Sequence, residues 1–100
     1  MIQGSPGDRE ELLELLRRLS YERRAVTLSS GRVSDFYIDC KRTALTARGH
    51  YLVGRTLFEA VREHAPDALA IGGLTLGADP LASAVSLTSG LAGHPLPAFI

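Results

Sequence analysis

The sequence has no tryptophan, a single cysteine (Cys40) and a single methionine, and its eleven basic and eleven acidic residues cancel. One cysteine excludes an internal disulfide and argues against a structural zinc site. Balanced charge removes any bulk attraction to nucleic acid or to an anionic membrane, so recognition of an anion has to be local. No apolar run approaches the roughly 20 residues of a membrane helix. Met1-Ile2-Gln3-Gly4 lacks a basic start followed by an apolar core, so no secretory signal is expected, and a cytoplasmic protein is. His50, His64 and His94 have no metal-like spacing to one another or to an acidic partner and read as surface or helix-end residues. Cys40 lacks an adjacent histidine and reads as buried and inert, although Lys41 follows it.

What remains is ordinary globular composition, 45% hydrophobic and 22% charged over 100 residues, enough for one small domain. Ser5-Pro6-Gly7-Asp8 reads as a helix start with Ser5 as cap. Leu12, Leu13, Leu15, Leu16 and Leu19 then make an apolar face, and Glu14 is placed to pair with Arg18. Ala25 to Leu28 and Asp35 to Cys40 are β-prone segments around a Ser29-Ser30-Gly31-Arg32 turn, an expected antiparallel hairpin. On the second segment Phe36 and Ile38 face one way, Tyr37 and Asp39 the other. Thr46 caps an expected second helix reaching about His64, with Val53, Leu57 and Val61 in its apolar stripe, Leu52, Phe58 and Ala60 widening it, and an Arg55–Glu59 pair on its surface. Gly49 and Gly54 each cost that helix about 1 kcal/mol relative to alanine, which points to close packing there.

Pro66-Asp67 breaks the helix, and Ala68 to Ile71 reads as a short buried strand. It leads through Gly72, Gly73 and Gly77 to Asp79-Pro80, a capping residue and a first-turn proline. Strand, glycine-rich loop and helix form a ligand site at the carboxyl end of a parallel sheet, with glycines allowing positive φ and bringing N–H groups close to an anion. The loop has neither the dinucleotide-binding nor the P-loop spacing, and an ordinary strand-to-helix turn is the competing reading. The third helix spans about Pro80 to Ser89, presents Leu81, Ala84, Val85 and Leu87, and stops at Gly90; Ala98-Phe99-Ile100 opens another strand, completing a βαβ unit. The chain stops inside that strand, so truncation is the expectation, and a half-built sheet with an open edge and apolar face is expected to be marginally stable or prone to aggregate.

Two segments together resemble orotate phosphoribosyltransferases. Val26-Thr27-Leu28-Ser29-Ser30-Gly31-Arg32-Val33-Ser34-Asp35-Phe36-Tyr37-Ile38-Asp39 is similar to their N-terminal signature, and Gly73-Leu74-Thr75-Leu76-Gly77-Ala78-Asp79-Pro80 to their pyrophosphate loop. The order and separation of the two agree with that family, and the resemblance covers essentially the whole chain. It implies an α/β fold of the type I phosphoribosyltransferase kind, with an N-terminal helix and β-hairpin hood over about residues 1–45 and the first βαβ of a parallel sheet over about 46–100, together one incomplete domain. The implied reaction transfers the 5-phosphoribosyl group from phosphoribosyl diphosphate to orotate, giving orotidine 5′-monophosphate and pyrophosphate in pyrimidine synthesis, with magnesium bound alongside the diphosphate and a homodimer as the working unit.

Carried over by position, the resemblance implies substrate contacts at Ser29, Ser30, Gly31, Phe36, Tyr37 and Ile38, with Tyr37 and Ile38 at the orotate ring and Ser29 at the substrate diphosphate. It implies pyrophosphate contacts at Gly73, Leu74, Thr75, Leu76 and Gly77. Some members carry lysine where this chain has Ser29 and a basic residue where it has Gly77; Arg32, Lys41 and Arg42 are the candidates for supplying charge nearby. The family's basic catalytic loop and acidic phosphoribosyl-binding signature lie beyond Ile100, so no catalytic residue is assigned within the chain, no metal ligand either, and the 100-residue polypeptide is expected to be inactive alone. A non-catalytic ligand-sensing or dimerisation module of the same ancestry is the alternative, and a phosphoribosyltransferase for a purine or uracil a more distant one.

Overall fold

The structure is a computed structural model that describes residues 7–100, so the expected cap at Ser5 and Pro6 lies outside the described residues. Helix α1 (Asp8–Leu15) carries Asp8, Glu10 and Glu11 in its first turn, where negative charge meets the positive helix end. It continues into one π-helical turn, Leu16–Ser20. Leu12, Leu15, Leu16 and Leu19 are half-buried, but Leu13 is 68% exposed, off the stripe that the other four share. The expected Glu14–Arg18 pair is not formed. Arg17 takes Glu14 instead, with Nε donating at 3.0 Å, since the widened turn from Leu16 carries Arg18 out of the four-residue register.

The hairpin is more divided than expected. Strands β2 (Val26–Thr27) and β3 (Val33–Ser34) pair antiparallel, Val26 opposite Ser34. The three-residue turn between Leu28 and Arg32 closes with Leu28 N–H donating to Arg32 O at 2.8 Å and has Gly31 at φ +86°, the left-handed position that glycine fills without strain. Asp35 to Cys40 does not continue that ladder. Its ordered part, β4 (Tyr37–Ile38), pairs instead with β1 (Tyr21–Glu22), a segment outside the expected hairpin. A single helical turn, α2 (Lys41–Ala44), follows, and Cys40 before it is exposed rather than buried, because it lies at the open end of that turn and not in a strand.

Helix α3 (Ala47–His64) begins as read, with Thr46 Oγ1 accepting the Gly49 N–H at 3.0 Å. Helix α4 (Asp79–Leu91) crosses it, and this pair forms the main packing surface. One cluster joins Ala44, Val53 and Ala84 with the half-buried Leu12 and Leu81; the other joins Phe58, Val85 and Ala92 with Ile71 and Leu96. Burying Leu52 and Val85, each at 1% exposure or less, contributes about 1.5–3 kcal/mol apiece. The buried stripe of α3 is Leu52, Val53, Arg55 and Phe58, so Leu57 and Ala60 turn outward and Leu87 of α4 is likewise exposed. Arg55 does not pair with Glu59: it is buried, and its Nε donates to Asp8 Oδ2 at 3.2 Å, clamping α1 to α3.

Gly54 shows why the helix tolerates glycine. A Cβ there would stand 2.6 Å from Ala84 O and 2.5 Å from Thr88 Oγ1, so the two helices meet at backbone distance. Gly49 is closed in the same way by Thr43 O. Helix α4 starts one residue earlier than read, with Ala78 at the capping position and Asp79 already helical, and it runs past Gly90 to Leu91 before Gly93, at φ +82°, turns the chain.

The strand read over Ala68 to Ile71 is reduced to one parallel bridge, Ile71 opposite Ala98, with Ile71 N–H donating to Pro97 O at 2.9 Å and Phe99 N–H to Ile71 O at 3.0 Å. Helix α4 connects the two bridge residues, so the βαβ order holds. The expected burial holds only in part: Ile71 is half-buried against Phe58, Val85 and Ala92, whereas Leu69 is 87% exposed, and Ile100, at 96%, leaves the open apolar end that was expected. No helix among the described residues is long and apolar enough to cross a membrane.

Candidate functional site

Three of the six hairpin residues singled out in the sequence border an open cavity of about 770 Å³, and Gly31, Phe36 and Ile38 do not. Ser29, Ser30 and Tyr37 line it, together with Arg24 and the strand β2. Gly31 sits at the turn behind it. Phe36 faces away from Tyr37, stacking on Tyr21 with ring centroids 6.0 Å apart, and Ile38 is in the β1–β4 ladder, opposite Tyr21. Strand alternation therefore separates Tyr37, on the cavity, from Phe36, whose ring lies on Tyr21.

Arg24 was not among the candidates, although the Arg23-Arg24 doublet just before β2 is visible in the sequence. Its guanidinium carbon lies 5.1 Å from the centroid of the Tyr37 ring, and its Nε donates to Glu22 Oε2. Arg42 Nη1 donates to the other Glu22 oxygen at 2.9 Å. The hydrogen bond from Arg24, then the charges of Arg24 and Arg42, hold the Glu22 carboxyl below its ordinary 4.5, so the trio carries one net positive charge. Of the cations named as candidates, Arg32 lines a separate cavity with Asp35, Arg42 is held by Glu22, and Lys41 does not line the Tyr37 cavity.

Gly73, Leu74, Thr75, Leu76 and Gly77 form an exposed loop between the Ile71 bridge and α4. None of them lines the cavity at Tyr37. The loop's glycines do not use positive φ, contrary to expectation: among the described residues only Gly31 and Gly93 do. Space is what Gly72 supplies, since a Cβ there would meet the Phe99 ring at 2.5 Å, while a Cβ at Gly77 would meet nothing within 4 Å. The Ala78 N–H donates to Leu74 O at 2.9 Å and the Asp79 N–H to Leu76 O at 3.2 Å, but the amides from Gly72 through Gly77 donate to no described residue. Asp79 is drawn into the turn by the Thr75 hydroxyl, which donates to its Oδ2, while Oδ1 is buried without a partner among the described residues. The chemistry on offer is thus an exposed row of unpaired backbone donors followed by a carboxylate occupied with its own loop.

No family model matches the chain. Among curated proteins it is 54% identical over 98 residues to the orotate phosphoribosyltransferase of Sorangium cellulosum, covering 98% of this chain and 50% of that protein. It is 54% identical over 92 residues to the same enzyme of Thermosynechococcus vestitus, covering 92% of this chain and 47% of that protein. Among solved structures, that of Mycobacterium tuberculosis orotate phosphoribosyltransferase in complex with 5-phospho-alpha-D-ribosyl 1-diphosphate superposes with a TM-score of 0.71 at 47% identity, over 92% of this chain and 51% of that one. A phosphoribosyltransferase from Corynebacterium diphtheriae gives a TM-score of 0.70 at 35% identity, over 93% of this chain and 49% of that one. The chain spans about half the length of the curated relatives it matches. In sequence and in fold, over nearly all its residues, it is related to one half of the orotate phosphoribosyltransferases.

Proposed function

We propose that this chain is the N-terminal half of an orotate phosphoribosyltransferase, a single incomplete domain that supplies substrate-binding surfaces but no catalytic loop. In the complete protein, a bond forms from an orotate ring nitrogen to the ribose C1 as the C1–O bond to diphosphate breaks, pyrophosphate leaves with the electron pair, and the proton of that ring N–H is released. The protein's task in such a transfer is to position the base and neutralise the leaving group. Tyr37 offers an aromatic surface to the base, with Ile38 beside it on β4; Ser29, Ser30 and Gly31 bring hydroxyl and backbone groups to the substrate. The loop Gly73 to Gly77 offers N–H donors to the diphosphate. The observation that carries the reading is that Tyr37 lines one cavity with Ser29 and Ser30, while the amides of the glycine loop are left unpaired.

Magnesium, in this reading, travels with phosphoribosyl diphosphate. Among the described residues no group of three or more histidines, cysteines or carboxylates converges, so in this reading the ion's ligands are chiefly substrate oxygens and water. The glycine loop contributes only neutral donors to the diphosphate, a homodimer is the working unit, and neither nucleic acid nor membrane is a partner.

Titration of the purified 100-residue chain with orotate, uracil and phosphoribosyl diphosphate tests the reading. Orotate is expected to bind in preference to uracil, and the chain alone is expected to form no orotidine 5′-monophosphate; turnover by the isolated chain would overturn the division of labour, and binding of none of the three would overturn the substrate assignment. The backbone-donor idea has its own test in the complete enzyme. Gly77→Ala has room for its methyl group, so a weakened diphosphate affinity would report on the loop's approach to the ligand, and an unchanged affinity would sink the idea.

A further inference from the structure

Arg24 is the one charged side chain among the residues lining the hairpin cavity. A single nitrogen, Nε, is taken by Glu22; its Nη groups have no partner among the described residues. The guanidinium is not free to wander, because Glu22 holds one edge and the Tyr37 ring lies under its face. Glu22 is itself held on its other oxygen by Arg42, so it does not cancel the cavity's positive charge alone. An oriented guanidinium with open donors, in a cavity that Ser29 and Ser30 also line, is suited to bind an oxyanion. Because Arg24 covers one face of Tyr37, a base stacks only on the opposite face, and the guanidinium edge is left for an oxyanion.

We propose that Arg24 is a specificity-determining residue of this cavity, supplying the cation that binds a phosphoryl or diphosphate group beside Ser29 and Ser30. The assignment rests on the reading that the cavity takes a phosphorylated substrate. It replaces Arg32, Lys41 and Arg42 as the source of local charge.

The test is titration of the 100-residue chain with inorganic pyrophosphate and, separately, with orotate, for the parent and for Arg24→Ala, Arg24→Lys and Arg42→Ala. Arg24→Ala is expected to weaken pyrophosphate binding about tenfold or more, as loss of a charge-assisted hydrogen bond does. Arg24→Lys is expected to restore part of the loss, because lysine returns the charge without the planar fork. Arg42→Ala, which removes the same charge from outside the cavity lining, is expected to stay within about twofold of the parent. Arg24 is 53% exposed, and circular dichroism is expected to show Arg24→Ala folded like the parent. Unchanged pyrophosphate affinity in Arg24→Ala, with the parent binding normally, overturns the assignment and leaves the proposed function standing. Equal losses in Arg24→Ala and Arg42→Ala reduce the effect to diffuse charge and also overturn it. A loss for orotate but not pyrophosphate overturns the phosphoryl assignment. A parent chain that binds neither pyrophosphate, orotate nor phosphoribosyl diphosphate overturns the assignment and the proposed function together.

Discussion

Ser20 Oγ and Thr43 Oγ1 lie 2.7 Å apart with both residues wholly buried, joining the π-helical end of the first helix to the single turn α2. Thr43 Oγ1 also stands 3.3 Å from Leu15 O, to which it can donate. Two side chains that hydropathy would leave on the surface thus hold the hood's helical parts together, satisfied only by each other and by one carbonyl.

Thr43→Val keeps the shape and removes the hydroxyl, leaving Ser20 buried beside a methyl group. It is expected to destabilise the chain by about 1–3 kcal/mol, and adding Ser20→Ala is expected to recover part of that, because the orphaned group is then gone. Urea unfolding of the two single variants and the double variant measures the coupling.

The Asp8–Arg55 pair, with Arg55 4% and Asp8 12% exposed in their side chains, is the most enclosed ion pair among the described residues. Asp8→Asn leaves a buried cation without its counter-charge and is expected to cost about 3–5 kcal/mol. Asp8→Asn with Arg55→Met is expected to cost less than Asp8→Asn alone. Thermal unfolding that ranks the double variant below the single would contradict this account.

Gly54→Ala sets helix propensity against packing. Alanine gains about 1 kcal/mol in an exposed helix interior, but overpacking a close contact costs about 1–3 kcal/mol. Since the nearest atoms include the Ala84 backbone rather than a flexible side-chain end alone, packing is expected to win and the melting temperature to fall. Ala84 and Thr88 resonances in an NMR spectrum of the variant are expected to shift with it.

Acid weakens the surface ion pairs in a defined direction. Glu11 is held below its ordinary 4.5 chiefly by its hydrogen bonds from Arg48, Glu14 by those from Arg17, and Glu22 by that from Arg24. A depressed folded-state value means stability that is present above about 4.5 and lost as pH falls through the folded value. All three are solvent-exposed groups, so the effect is small and screened by salt. Melting curves are expected to drop progressively below about pH 4.5, and the part due to these pairs to flatten at high ionic strength.

The sequence by itself determined what depends on near neighbours. The Thr46 cap, the span of α3 and the turn at Gly31 all follow from chain-local rules, because a helix or turn closes its hydrogen bonds within a few residues; a glycine at 54 signalled close packing, but Ala84 and Thr88 as its partners did not follow from those rules. The hairpin and glycine-loop segments were likewise legible, and their resemblance marked the relationship that the whole-chain comparison shows. Tertiary structure alone decided which distant groups meet: Tyr37 with Arg24 over a cavity, β4 with β1 instead of β2, Arg55 with Asp8 rather than Glu59, Ser20 with Thr43. The last two of these choices turn on which surfaces exclude water together, while the first two are made at exposed residues by chain geometry. Periodicity shows that a residue has an inward face, but only the packed chain supplies the partner, and burial makes that partner obligatory.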